Sequence, residues 1–254
     1  MFINSRIKNN IEDKGINVFF KNHVSSTNDY IKYKYINDIT PVVIMTNNQR
    51  SPRGRRGSSW VNYHFHSLSF TLCLKLEGSV DDYKTLSHVI GVSILEVCEE
   101  FNIQALKLKW PNDIMINDKK VCGVLIENHT VNKDLFYSAV GIGFNVSIPA
   151  KLLNLIDGNP ANINISSDKL NILIPRLIEH IIINVTSLKD NGFESFKEKC
   201  NEYMYAKNMN VILKNNEDKI TGKLLGVNKD GCLEIHTKSG IKNINTLDYS
   251  LRVL

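Results

Sequence analysis

The chain lacks paired cysteines. Its five, Cys73, Cys98, Cys122, Cys200 and Cys232, are scattered, with no C-x-x-C spacing and an odd count. In 254 residues that pattern argues against a disulfide scaffold or a zinc ribbon, and for buried free thiols in a reducing cytosol. Long apolar runs are missing too. No 18-residue apolar stretch occurs, the first ten residues hold no apolar signal-type segment, and the apolar run at 172–185 is broken by Pro175, Arg176, Glu179 and His180. Neither a membrane span nor an export signal is expected, and the predicted setting is cytoplasmic. No G-x-x-x-x-G-K-S/T sequence is present, which argues against a P-loop NTPase. There is no internal repeat and no low-complexity segment. The excess of positive charge, +5, is too mild to predict a nucleic-acid binder, though it allows anionic ligands.

What is present starts with a hydrophobic fraction of 43%, enough for a core, in a length that suits one large domain with or without a small module. Residues 50–59 read R-S-P-R-G-R-R-G-S-S, with four arginines, two glycines and no acid. No core tolerates four guanidinium groups so close together, so the segment is predicted to be an exposed, mobile loop of mutually repelling arginines without partners. It is also an anion cradle: glycines let backbone N–H groups approach a phosphate, and arginines offer forked donors around it. It lies between an apolar run at 41–46 and an aromatic and apolar one at 60–76. A basic loop held between two strands reads as a site.

The pattern along the chain predicts a strand over 18–24 and a helix over 25–32 with Ser26 as its N-cap. Strands follow at 42–46 and 67–76, the second with apolar even positions and mostly polar odd ones, so that one face is buried. A long helix is predicted over 80–101. A strand at 106–110 is cut off by Pro111-Asn112-Asp113, and a hairpin joins 114–116 to 121–126 around 117–120. A strand over 136–146, an Asn-rich loop over 150–168 and helices over 169–189 and 192–204 complete the larger part. From Asn210 short strands (211–213, 222–227, 232–236, 241–244, 249–253) alternate with turns such as 214–217 and 228–231, the texture of a small β-barrel. The boundary is placed near Ala206.

Three segments are hard to explain separately: Gln49 through Gly57, K-W-P-N-D at 109–113, and K-x-x-G-x-L-x-E at 120–127. With S-T-N at 26–28 and G-I-G-F-N at 141–145, they resemble the catalytic domain of biotin–protein ligases, in order from about residue 18 to residue 146 and more loosely beyond. The combination is highly specific, although each piece alone is weak. The resemblance implies an α+β fold, a mixed β-sheet with flanking helices of the class II aminoacyl-tRNA synthetase and biotin synthetase type, over residues 1–206. A small SH3-like β-barrel is implied over 207–254. It also implies a two-step reaction: biotin and ATP give biotinoyl-AMP and diphosphate, and a carrier lysine then attacks the mixed anhydride. The expected partner is a biotin carboxyl carrier protein such as that of acetyl-CoA carboxylase. A monomer or weak homodimer that binds no DNA is expected, because too little chain precedes the pattern for a helix-turn-helix.

Residue by residue, the resemblance places Ser26, Thr27, Asn28 and Gln49 at the biotin ureido ring, which needs both donors and acceptors. Backbone N–H groups of Arg53 and Gly54 would hold the biotin carboxylate, and Arg55, with Arg56, the phosphate. Lys120 would bridge carboxylate and α-phosphate; Lys119 is the neighbour to weigh against it, and Lys120 is preferred because it lies three residues before Gly123. Lys109, Asn112 and Asp113 would serve ATP, Asp113 either through Mg²⁺ or as a turn cap only. Trp60 either packs near the adenylate or closes the core, and Asn145 either touches the nucleotide or shapes a strand end. Pro52 stands where the family usually has Gly, so a backbone donor is lost there and the loop is stiffer. Two other readings remain. A lipoate–protein ligase shares the chemistry but not the arginine loop or K-W-P-N-D. A nucleic-acid-binding module would interleave basic and aromatic residues, whereas the C-terminal residues mix acids with bases.

Overall fold

The computed structural model describes residues 5–34, 41–215, 217–245 and 249–254. Seven strands form one mixed sheet in the order β1-β2-β3-β7-β6-β5-β4. They are β1 (Asn17–Lys21), β2 (Val42–Thr46), β3 (Ser67–Glu77), β4 (Leu106–Lys109), β5 (Asp113–Ile116), β6 (Lys119–Asn132) and β7 (Leu135–Asn145). β1 and β2 run parallel and every other neighbouring pair is antiparallel. Helices α1 (Ser5–Glu12), α3 (Leu86–Glu100) and α5 (Ser167–Asn191) share the main core with one face of this sheet. That face carries the even residues of β3, from Leu68 to Leu76, and Phe136, Val140, Ile142 and Phe144 of β7.

The opposite face decides the function. The alternation in β3 predicts one buried face, yet both are buried, because α2 (Thr27–Lys34) and the arginine loop lie over the polar one. Ile31 of α2 closes a second, smaller core with Val42, Ile44, Cys73, Tyr137 and Ala139. Beyond it the same face is bare. The register lines up Lys21, Thr46, Ser69, Gly143, Gly123, Asp113 and Lys109 as one row across all seven strands. Ser69, Gly143, Gly123, Asp113 and Lys109 of this row line a cleft.

Several boundaries depart from the sequence pattern. The N-terminal helix α1 went unassigned, although Ile7 and Ile11, one turn apart, bury completely. The 80–101 helix is two pieces: a capping box between Ser79 and Asp82 holds Val80–Tyr83 as a tight 3₁₀ turn, and α3 starts anew at Leu86. The turn after β5 is only Asn117 and Asp118, both at positive φ (47° and 60°), so Lys119 and Lys120 belong to β6. One short helix, α4 (Ala150–Leu153), interrupts the expected loop, and α6 (Glu194–Tyr203) follows α5.

The C-terminal residues form a second, antiparallel sheet of five strands, β8 (Asn210–Lys214), β9 (Lys219–Val227), β10 (Leu233–Thr237), β11 (Gly240–Ile244) and β12 (Ser250–Val253), ordered β11-β10-β9-β8-β12. A register shift at Leu225 bends β9 against β10, consistent with the expected SH3-like module. The expected turn at 214–217 includes Asn216, which lies outside the described residues. No helix among the described residues is long and apolar enough to cross a membrane.

His88, in the first turn of α3, is buried against Phe193, and neither ring nitrogen has a hydrogen-bond partner among the described residues. Burial pushes its pKa down to about 4, outweighing the opposing pull of the Thr85 backbone. The unfolded chain takes up a proton below about pH 6.5 and the folded chain does not, so stability is full above that pH and falls as the pH drops towards 4. At pH 5 this one group costs about 2 kcal/mol relative to pH 8. Urea unfolding of His88→Leu at both pH values should show that much less acid sensitivity; an unchanged pH slope would refute the assignment.

Candidate functional site

The cleft has a volume of about 250 Å³ and opens on the sheet face opposite α3 and α5. Its floor is made of three glycines. A Cβ on Gly143 would sit 2.7 Å from Trp60, and one on Gly141 would fall within the reach of the Asn28 side chain. A Cβ on Gly123 would lie 3.2 Å from both Lys120 and Trp60. The missing side chains are thus the space in which Trp60, Lys120 and Asn28 lie flat on the strands.

Lys120 reaches this face through a β-bulge. Ile114 pairs with Cys122 but Met115 with Lys120, so Val121 is an extra residue on β6. Side chains alternate along a strand, so without it Lys120 would point into the core and Val121 into the cleft. The three-residue spacing from Lys120 to Gly123 therefore requires the bulge. The backbone of Lys120 is fixed on its other side as well. Its N–H donates to the Asn159 carbonyl (2.9 Å), and its carbonyl accepts from Ala161 N (2.8 Å) and Asn145 Nδ2 (3.3 Å). Its ammonium lies 2.6 Å from Asp113 Oδ1 and 5.4 Å from the centre of the Trp60 ring. Lys119 is exposed and lines nothing in the cleft.

Lys109 faces Asp113 across the β4–β5 pair. Burial holds its pKa below the usual lysine value; the charges of Lys120 and Arg252 push the same way, and Asp113 opposes them. An anion brought beside it would offset that cost of burial. Asn112 is engaged at both ends: its oxygen accepts from Arg55 (3.1 Å) and its nitrogen donates to the Val124 carbonyl (2.6 Å).

The other end of the cleft is neutral. Ser26, Thr27 and Asn28 are buried where β1 hands over to α2. Gln49 Oε1 accepts from the Thr27 N–H (2.9 Å) and hydroxyl (3.2 Å), supplying the helix start with an acceptor from another strand end. The Nε2 of Gln49 stays open to a ligand among the described residues. Asn28 accepts from Thr71 (2.6 Å) and donates to the Leu125 carbonyl and Glu127, so it meets a ligand only by giving up one of these.

The arginine loop is a strap over the cleft. Arg50 N and Ser51 N donate to the carbonyls of Val24 and Ser25, Arg53 pairs with Ser59, and residues Arg55–Gly57 form a tight turn with Arg56 at φ 54°. Asn62 closes its base, accepting from Gln49 N (3.1 Å) and donating to Ser69 Oγ (3.2 Å). Its arginines are not without partners, contrary to the expectation from composition: Arg53 lies 2.6 Å from Asp29 and 3.2 Å from Glu127. Those acids are remote in sequence, and folding brings them to the loop. The Gly54 N–H already donates to the Ser58 carbonyl at 2.7 Å.

Of the residues singled out by sequence, Ser26, Thr27, Asn28, Gln49, Arg53, Gly54, Arg55, Arg56, Trp60, Lys109, Asn112, Asp113 and Lys120 all line this cleft. Asn145 does not; it is buried behind Lys120. Sequence reasoning missed Asn62, Ser69, Glu127's contacts, and the C-terminal residues Tyr249, Ser250 and Leu251 at the rim. Ser69 was visible as one of the polar odd positions of β3.

Known proteins share the sequence pattern and the fold. The profile of the Biotin/lipoate A/B protein ligase family matches residues 20–145. The biotin protein ligase of Aquifex aeolicus, solved in complex with biotin and ATP, is 30% identical, with a TM-score of 0.78 over 94% of this chain and 99% of that one. The bifunctional ligase/repressor BirA of Escherichia coli is 25% identical over 90% of this chain and 72% of its own length. That of Bacillus subtilis is 24% identical over 82% of this chain, which spans 66% of its length. The mixed sheet with its flanking helices is the fold of the biotin protein ligases. The chain belongs to the biotin/lipoate A/B protein ligase family.

Gly143→Ala should force Trp60 off the floor, at about 1–3 kcal/mol of stability. Urea unfolding and intrinsic fluorescence check this. Unchanged stability and an unchanged Trp60 environment would show that the ring does not need the bare strand.

Proposed function

We propose that this chain activates biotin as biotinoyl-AMP at the expense of ATP and transfers the biotinoyl group to the ε-amine of one lysine on a biotin carrier protein, such as the carrier subunit of acetyl-CoA carboxylase. The observation that carries this reading is a single cleft whose neutral polar end (Ser26, Thr27, Gln49) leads to a cationic end (Lys120, Lys109, Arg55, Arg56). A ureido ring with a carboxylate tail fits the first, and a triphosphate fits the second. The solved Aquifex aeolicus relative in complex with biotin and ATP supports it.

In the first step a biotin carboxylate oxygen attacks the α-phosphorus, and diphosphate leaves. Two anions must approach each other, so fixed cations lower the barrier. Lys120, lifted from Asp113, is positioned to neutralise both; Arg55 and Lys109 take the phosphates, and Trp60 walls the site against water. In the second step the carrier amine attacks the anhydride carbonyl and AMP leaves. Asn145, outside the cleft, acts through the Lys120 backbone, and Asn112, which lines it, also holds Arg55. Asp113 is the one carboxylate lining the cleft among the described residues, and it is already paired with Lys120. One engaged carboxylate is no cage for Mg²⁺; the ion would arrive on the triphosphate. The division into a catalytic part (1–206) and a C-terminal module (207–254) goes with this reading, the module contributing Tyr249, Ser250 and Leu251 to the nucleotide end of the cleft.

The test is exchange of labelled pyrophosphate into ATP, with biotin or lipoate as the acid. Biotin-dependent exchange is expected; lipoate-dependent exchange would move the chain to the other branch of the family, and none with either acid would refute the reaction class. In the same assay Lys120→Ala should lose ~10²–10³ in rate while Lys119→Ala stays near the starting rate. Equal losses in the two variants would refute the role given to Lys120.

A further inference from the structure

Arg53 faces two carboxylates at once. Its guanidinium lies 2.6 Å from Asp29 Oδ1, in the first turn of α2, and 3.2 Å from Glu127 Oε2 on β6. The same Glu127 oxygen accepts from Asn28 Nδ2 at 2.8 Å. Asn28 is buried and is held in turn by Thr71 at 2.6 Å. The chain Thr71–Asn28–Glu127–Arg53–Asp29 therefore runs from the sheet floor to the strap. Two residues further on, Arg55 donates to Asn112 at 3.1 Å, on the opposite wall. The strap is pinned at both sides of the cleft, to α2 and β6 by Arg53 and to the turn before β5 by Arg55.

We infer that the Arg53 side chain is the anchor of the strap and not an anion ligand, and that Asp29 and Glu127 are the positioning residues that clamp it. A guanidinium beside two carboxylates has its charge locally cancelled, so it adds little attraction for an incoming anion. What it adds is geometry. It fixes the backbone of Arg53 and Gly54 over the cleft before any ligand is present. Glu127 shares one oxygen between the anchor and Asn28, so the neutral end of the cleft and the strap are braced by one carboxylate. The inference rests on the proposed function only for its ligand.

The experiment compares Asp29→Asn, Arg53→Met and Arg53→Lys in the full chain. Amide hydrogen exchange of residues 50–59 without ligand is read first. Both neutral substitutions should speed exchange at Gly54, Ser58 and Trp60, whose N–H groups the strap bonds internally, by ~2- to 5-fold, and Arg53→Lys should restore part of the protection. Biotin affinity is read second. If Arg53 is an anchor, Asp29→Asn and Arg53→Met weaken binding together. If Arg53 instead holds the ligand anion, Asp29→Asn frees its charge and tightens binding while Arg53→Met weakens it, which overturns the inference. Exchange unchanged in both variants overturns it as well. If the unsubstituted chain binds no biotin, the proposed function fails, and the exchange comparison still decides the anchor.

Discussion

The register of the seven-stranded sheet is the constraint on which the cleft depends. A shift of one residue in any central pair would turn Ser69, Gly143, Gly123 and Asp113 into the core and bring Leu68, Ile142 or Val124 to the ligand face. That register is held by the apolar residues on the other face, which pack against α3 and α5. The polar site is thus specified by the hydrophobic core behind it. Val121 breaks the pattern at the site: it resets the parity of β6, so that a lysine and a glycine three apart share a face.

Two of the cations lining the cleft are paired before any ligand arrives. Lys120 rests on Asp113, and Arg53 on Asp29 and Glu127. The single Lys120–Asp113 pair is partly exposed and weak, about 0–1 kcal/mol, so a phosphate or carboxylate that offers more oxygens can displace it. Arg53, held by two carboxylates, stays in place in the strap. Lys109 is the exception. It is buried enough for desolvation to lower its pKa, and an anion beside it would relieve that cost.

Much of this was legible in the chain. The strands, α5, α6 and the C-terminal sheet follow from period and turn chemistry, and the motif residues other than Asn145 do meet in one cleft. What escaped has a physical pattern. α1 is short and rich in Asn, so two isoleucines one turn apart were its whole signal. The partners of the arginines, Asp29 and Glu127, stand 24 and 74 residues from Arg53, beyond any local rule. Asn145 sits within a motif yet turns its amide to the Lys120 carbonyl, a bond set by strand pairing.

The sequence by itself determined the local features: which residues alternate, where turns break strands, and that a loop with four arginines must lie at the surface, since these depend on side-chain chemistry and neighbours a few positions away. Only the tertiary structure decided that the polar face of β3 is the floor of a cleft and not a wetted surface, that a bulge at Val121 turns Lys120 into it, and that Arg53 is clamped. Each of those outcomes is set by which remote strand or helix comes to lie alongside, and burial, hydrogen-bond partners and charge pairing exist only once those elements are packed together.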